Sequence, residues 1–202
     1  MQKHTGNEVF ENDGMFLDFN LLDFWQWYAS DLLNHPIRGA IAEFIVAKAL
    51  GVPTDEKPGW KPYDLLYRCK RLEIKSCAVV SDSHGGKSSR IVFSIKKQLC
   101  LWDEDVEDGY CTKEELWEHR CRHSAFYVFC FLKEEDGDKA NPMMLDQWEF
   151  FILPTSVIDR ELGDQQTIRI PTILSLGGVR CSWADLKERM DAFIGEEGGS
   201  RE

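Results

Sequence analysis

The chain has 202 residues, 43% of them hydrophobic, and a net charge of -11. That size and composition let one domain bury a core without disulfide staples and exclude a disordered chain. They also exclude binding to a polyanion through overall charge alone.

No apolar run reaches the roughly 18 residues a membrane span needs. The polar opening MQKHTGNEVFENDG lacks the basic-then-apolar pattern of a signal peptide. The expectation is a soluble, cytoplasmic protein with a loose tail over residues 1–15, one domain over 16–195 and a polar tail over 196–202. Seven cysteines, an odd number, read as reduced thiols. Cys111, His119, Cys121 and His123 lack zinc-knuckle spacing and read as packing thiols and surface histidines.

In chain order, Asn20 is set to cap a helix in which Leu21, Phe24, Trp25, Tyr28 and Leu32 recur at helical spacing up to His35-Pro36. A second helix runs over 37–50 and closes on Gly51. A strand-turn-strand follows, with Tyr63–Tyr67 and Leu72–Cys77 flanking a turn at about Cys69-Lys70. SRIVFSI, 89–95, alternates as a third strand. Thr112-x-x-Glu115 is a capping box opening an acidic helix to about Arg120. AFYVFCFL, 125–132, is apolar on both faces, as a covered central strand would be. WEFFILP, 148–154, is a further strand and precedes a short helix. Ser182 caps a last helix carrying Trp183, Leu186, Met190 and Phe193. The pattern predicts an α/β fold with a mixed central sheet flanked by helices.

Within KPYDLLYRCKRLEIKSC, 61–77, period two puts Glu73 and Lys75 on one face of the second strand and Leu72, Ile74 and Ser76 on the other. A hairpin turn brings Asp64 back toward Lys75 across the ladder. Two carboxylates and a backbone carbonyl, that of Ile74, form a hard-oxygen site of the kind Mg2+ or Mn2+ takes. An ammonium beside it suits an attacking hydroxide or a developing phosphate charge. The bland alternative is a solvated charge pair on an edge hairpin. The pattern [DE]-x-K occurs three times, also at Asp55-Glu56-Lys57 and Asp185-Leu186-Lys187. Only Glu73-Ile74-Lys75 lies in a strand after an Asp-bearing strand.

These residues resemble the PD-(D/E)XK nuclease superfamily, the restriction-endonuclease-like fold. Pro62 with Asp64 stands as PYD, one residue longer than the family pattern, and EIK follows at 73–75. The resemblance covers about residues 37–132, and the remainder is similar to small stand-alone bacterial members. It implies a divalent-metal-dependent deoxyribonuclease with Asp64 and Glu73 holding the metal and Lys75 assisting water. Glu43, on the helix before the hairpin, would be a supporting or second-metal ligand. Read from its own neighbours, Glu43 stands on a stripe with Ala40, Val46, Ala47 and Leu50, and pairs either with Arg38 or Lys48 or with the site.

Charge is unevenly placed. Residues 57–97 hold ten Lys/Arg against three acids, a net of +7 in a chain of -11, which leaves -18 for the rest. Phosphate contacts need local basic groups, and Lys87, Arg90, Lys96 and Lys97 are expected to edge a DNA-binding face. Three other roles stay open: a non-catalytic nucleic-acid- or protein-binding module on the same fold, an acidic DNA mimic, and a homodimer. The acidic stretch 102–118 would face away from DNA or bind a basic protein partner.

Overall fold

The structure, a computed structural model, describes residues 3–55, 61–80, 86, 90–99 and 120–199. Its centre is the doubly apolar segment anticipated from sequence. Phe126–Leu132 forms a strand whose Phe126, Val128, Phe129, Cys130 and Leu132 are wholly buried. The strands, in chain order, are β1 (Val9–Asn12), β2 (Met15–Asn20), β3 (Leu65–Tyr67), β4 (Lys70–Ala78), β5 (Phe93–Ser94), β6 (Gln98–Leu99), β7 (Arg120–Cys121), β8 (Phe126–Leu132), β9 (Trp148–Pro154), β10 (Thr167–Ile168) and β11 (Val179–Cys181). The helices are α1 (Leu21–Ala29), α2 (His35–Leu50), α3 (Thr155–Leu162), α4 (Ile170–Ser175) and α5 (Leu186–Gly199).

The main sheet has the order β11-β9-β8-β4-β3. β4 runs parallel to β8, Leu72 facing Phe126 and Ala78 facing Leu132, and the other neighbours pair antiparallel. A mixed α/β sheet between helices is therefore present. One face is sealed by α2 and α5, whose Ala42, Ile45, Val46, Leu186 and Met190 pack with Leu72, Ile74 and Val128. The other face carries Cys77, Tyr127, Phe129, Phe151 and Leu153 beneath Phe93, Ile95, Ile158, Ile168 and Ile173. Among the described residues no helix is long and apolar enough to cross a membrane.

Local signals explain most element ends. Asn20 caps α1 by accepting from the backbone N–H groups of Leu22 and Asp23, and Asp23 answers at the Asn20 N–H. Gly51 closes α2 in the left-handed region, φ 72°. Pro36 opens α2 rather than ending α1, because proline suits the first helical turn.

Four expectations need correction. Residues 9–20 form a β-hairpin whose first strand lies inside the loose tail expected over 1–15, and α1 stops at Ala29. The 89–95 segment contributes only β5, which pairs with β10 outside the main sheet. Its apolar face is as read, since Phe93 and Ile95 are buried. The last helix continues to Gly199, past the expected start of the tail. The expected helix from Thr112 lies outside the described residues.

Arg122 fastens the second face. Its buried guanidinium donates to the carbonyls of Ile95 at 2.7 Å and Gln165 at 3.0 Å, and pairs with Asp159. A guanidinium of five donors is retained in a core only when its protons find such partners.

The hairpin end of β3 and β4 is tied to α5. Tyr67 donates to Asp191 at 2.6 Å, with Arg68 at 3.2 Å and Lys187 at 2.9 Å on the same carboxylate. Burial raises the Asp191 carboxyl, but the hydrogen bonds from Tyr67 and Lys187 and the Arg68 charge outweigh it and hold it below its ordinary value. A depressed folded-state value gives stability that is present above the unfolded value, near pH 4, and is lost as pH falls through the folded one. Asp191→Asn is therefore expected to cost about 1 kcal/mol at pH 7, and nothing once the medium protonates the folded carboxyl. Urea unfolding of both chains across that pH range checks it.

Candidate active site

The turn between β3 and β4 is set by two residues with positive φ, Arg68 at 47° and Cys69 at 60°. Left-handed backbone at both central positions is the type I′ geometry that matches the twist of a two-residue hairpin. The turn lies one residue earlier than the sequence suggested. It fixes the register Leu65 to Leu72, Leu66 to Arg71 and Tyr67 to Lys70. β3 begins only at Leu65, so beyond Leu72 this side of β4 has no strand partner. Asp64 occupies the corner where the ladder ends.

There Asp64 takes over the role of the missing strand. Its N–H donates to the Leu72 carbonyl at 3.0 Å, and its side-chain Oδ2 accepts the Ile74 N–H at 2.6 Å. In an extended strand, a residue's N–H and C=O point toward the same neighbour. The Ile74 carbonyl therefore faces the Asp64 side as well. Two residues of β4, Glu73 and Lys75, project from the sheet face opposite Leu72 and Ile74. Lys75 Nζ donates to Glu73 Oε1. Asp64, Glu73, the Ile74 backbone and Lys75 are thus brought together at one corner of the sheet.

Glu73 is only 6% exposed. β4 is also an interior strand, between β8 and β3. A solvated charge pair on an edge hairpin does not describe these residues. Burial pushes the Glu73 carboxyl above its ordinary range and the neighbouring Asp64 charge adds to the push, while Lys75 and Ser124 pull against it. Ser124 Oγ donates to Oε2 and Gln98 Nε2 to Oε1, each at 3.4 Å. Tyr127, the register partner of Glu73 on β8, has its phenol pushed up by burial and then by the Glu73 charge.

Sequence reasoning missed Ser124 and Gln98. Each lies far along the chain from Glu73, by 51 and 25 residues, and only the parallel β4–β8 pairing and the short β6–β7 ladder bring them in. No local spacing carries that information.

α2 packs against the sheet face that bears Leu72 and Ile74, the face opposite Glu73 and Lys75. Glu43 is half-buried on it, beside the exposed Phe44. Arg38 is buried and donates to the Leu33 carbonyl at 2.9 Å, and Lys48 lies over the Phe44 ring at 5.2 Å. Among the expected DNA contacts, Lys96 and Arg90 are exposed, Lys97 is paired with Asp164 at 2.7 Å, and Lys87 lies outside the described residues. Two further basic groups gather about Tyr63: Lys61 and Arg71 each lie 5.6 Å from its ring.

The donor set at the corner is two carboxylates and a carbonyl, all hard oxygens, and among the described residues Asp64 accepts one side-chain hydrogen bond, at Oδ2. That fits Mg2+ or Mn2+ in kind. Among the described residues no three His, Cys, Asp or Glu side chains converge on one point. Cys121 and His123 touch at 3.5 Å, and Cys111 and His119 lie outside the described residues. Comparison of the chain with protein-family models, curated proteins and solved structures finds no match.

A buried carboxyl with a raised value binds its proton more tightly in the folded than in the unfolded chain. Its contribution to stability is full below the unfolded value, near pH 4, and is lost as pH rises toward the folded one. Glu73→Gln removes that loss and keeps an acceptor for Lys75, whose half-exposed ammonium can turn to solvent. The variant is expected to be more stable than wild type at pH 7, by on the order of 1 kcal/mol, and no more stable at pH 3. Thermal melts at the two pH values decide it; a less stable variant at pH 7 would contradict the electrostatic assignment.

Proposed function

We propose that the chain is a divalent-metal-dependent deoxyribonuclease of restriction-endonuclease-like fold, hydrolysing DNA phosphodiester bonds at the corner formed by Asp64, Glu73 and Lys75. The observation that carries the reading is a carboxylate kept buried in the sheet with a second carboxylate and an ammonium beside it. Structural ion pairs need no second acid, and here the added acid pushes the first one's proton affinity further up.

The resident cation would be Mg2+ or Mn2+, held by Asp64, Glu73 and the Ile74 carbonyl, and it would supply Lewis acidity toward a phosphate oxygen and its attacking water. The remaining roles belong to the chain. Asp64 is locked by the Ile74 N–H, so its free oxygen has a fixed direction. Ser124 and Gln98 hold the Glu73 carboxylate in one rotamer. Lys75, its side chain 27% exposed, can offer protons toward solvent. In hydrolysis one P–O bond forms from water and one breaks toward the sugar, and negative charge gathers on the phosphoryl oxygens. An ammonium placed there stabilises that charge more than the ground state.

DNA as the partner is supported by the local positive balance of 57–97 within an acidic chain. Lys61 and Arg71 about Tyr63, the residue before Asp64 in the chain, add to that balance. The proposed mechanism gives Glu43 no role.

Two variants test the reading. Lys75→Ala is expected to lose plasmid cleavage in Mg2+ or Mn2+ by about 100-fold or more while still binding DNA. Glu73→Gln should lose cleavage to the same extent. Full cleavage by Lys75→Ala would remove the mechanism. DNA binding without cleavage by the wild type would leave a non-catalytic module in its place.

A further inference from the structure

Residues 5–29 form a module that hides none of its large side chains. β1 and β2 pair as an isolated two-stranded sheet, and α1 follows directly. The module is internally tied. Leu21 and Leu22 donate to the carbonyls of Glu8 and Gly6, each at 2.9 Å, and Gly6, at φ 96°, lies against Trp25 where a Cβ would come within 3.1 Å of the ring. Yet α1 has no buried residue, and the strands are exposed along their length.

Eleven large apolar side chains between Val9 and Tyr28 are at least 36% exposed, with Met15 at 66%, Phe16 at 77% and Trp27 at 80%. Phe10 stacks near Phe19 at 4.9 Å, and Phe24 gathers Tyr28 at 5.8 Å and Trp27 at 6.2 Å, all at the surface. With aromatic side chains of about 150–250 Å² apiece, the exposed apolar area is on the order of 1,000 Å². A typical monomer's largest apolar patch is roughly 300–600 Å². A lone hairpin and a nine-residue helix are marginal in water without a surface to cover them. The area matches the roughly 800 Å² that each partner contributes to a standard interface.

We propose that β1, β2 and α1 form a homodimer interface, seated on the same module of a second copy of the chain. Three features favour that occupant. The outer edge of β2 carries backbone groups outside the β1–β2 ladder, and edge strands of this kind pair with a copy of themselves. Antiparallel pairing of β2 with its copy about Leu17 keeps Met15, Leu17 and Phe19 on one shared apolar face and sets the two Asp18 carboxylates apart. A module that cannot stand alone also needs a partner present whenever the chain is, which a second copy satisfies. An anionic lipid surface is disfavoured, because residues 3–30 hold five acids and one lysine. Two of these acids are tied to neighbouring backbone: Glu8 accepts from Thr5 and Gly6, and Asp23 from Asn20. The proposal is independent of any nuclease activity.

Sedimentation equilibrium of the full chain tests it, at concentrations up to about 100 µM and at about 0.1 and 0.5 M salt. The expected mass is twice 23.4 kDa. The dimer should hold or tighten at the higher salt, since salt screens its like charges, whereas a basic partner would be released. Met15→Asp with Trp27→Asp is expected to weaken dimerisation about 100-fold or more, as loss of two large anchors does. Trp27→Asp alone, at a position 80% exposed and so harmless to the monomer, should weaken it in the same direction. Leu174→Asp, an exposed apolar position outside the module, should sediment as wild type. A wild-type monomer at the highest concentration, or a dimer indifferent to Trp27→Asp and to the double change, would overturn the proposal.

Discussion

A carboxylate buried in the main sheet is the constraint that the rest of the site obeys. Removing a charge from water costs several kcal/mol unless the fold returns charged or hydrogen-bonded partners. Glu73 obtains them from three separate stretches: Lys75 on its own strand, Gln98 on β6 and Ser124 just before β8. Ser124 reaches it through the parallel β4–β8 register, which seats Glu73 opposite Tyr127, and Gln98 through the β6–β7 ladder. The Arg122 clamp beside Ser124 then joins the Ile95 carbonyl to Asp159 and Gln165, holding that neighbourhood in place.

The two faces of the sheet divide the work. Under α2 and α5 the core is apolar, and it is there that the small residues Ala42 and Ala47 let the helix lie close on Leu72 and Ile74. The other face is equally apolar through Phe129, Phe151 and Ile158, but gives way to acids and a lysine where β3 stops short. Ending β3 at Leu65 frees the backbone of Ile74, and a side chain rather than a strand satisfies its N–H.

Much of this was legible in the sequence. Period-two alternation placed Glu73 and Lys75 on one face, and the two-sided apolarity of 125–132 marked the central strand, because both rest on local pattern. Asn20 and Gly51 announced helix ends through their capping chemistry. The N-terminal hairpin was not legible: VFEN and MFLDFN are short, and polarity at 1–14 dominated their pattern. The face on which α2 packs was not legible either, since a helix stripe tells which residues are buried but not which side of a sheet receives them. Ser124 and Gln98 depend on long-range pairing, on which local spacing is silent.

Calorimetric titration of the wild-type chain with Mn2+ tests the central claim most directly, because it reads the corner without requiring a substrate. One ion per chain is expected, bound more weakly as pH falls and protons compete for Glu73, with the signal absent in Asp64→Asn. No uptake at neutral pH, or uptake unchanged by Asp64→Asn, would contradict the assignment of this corner as a metal-dependent active site.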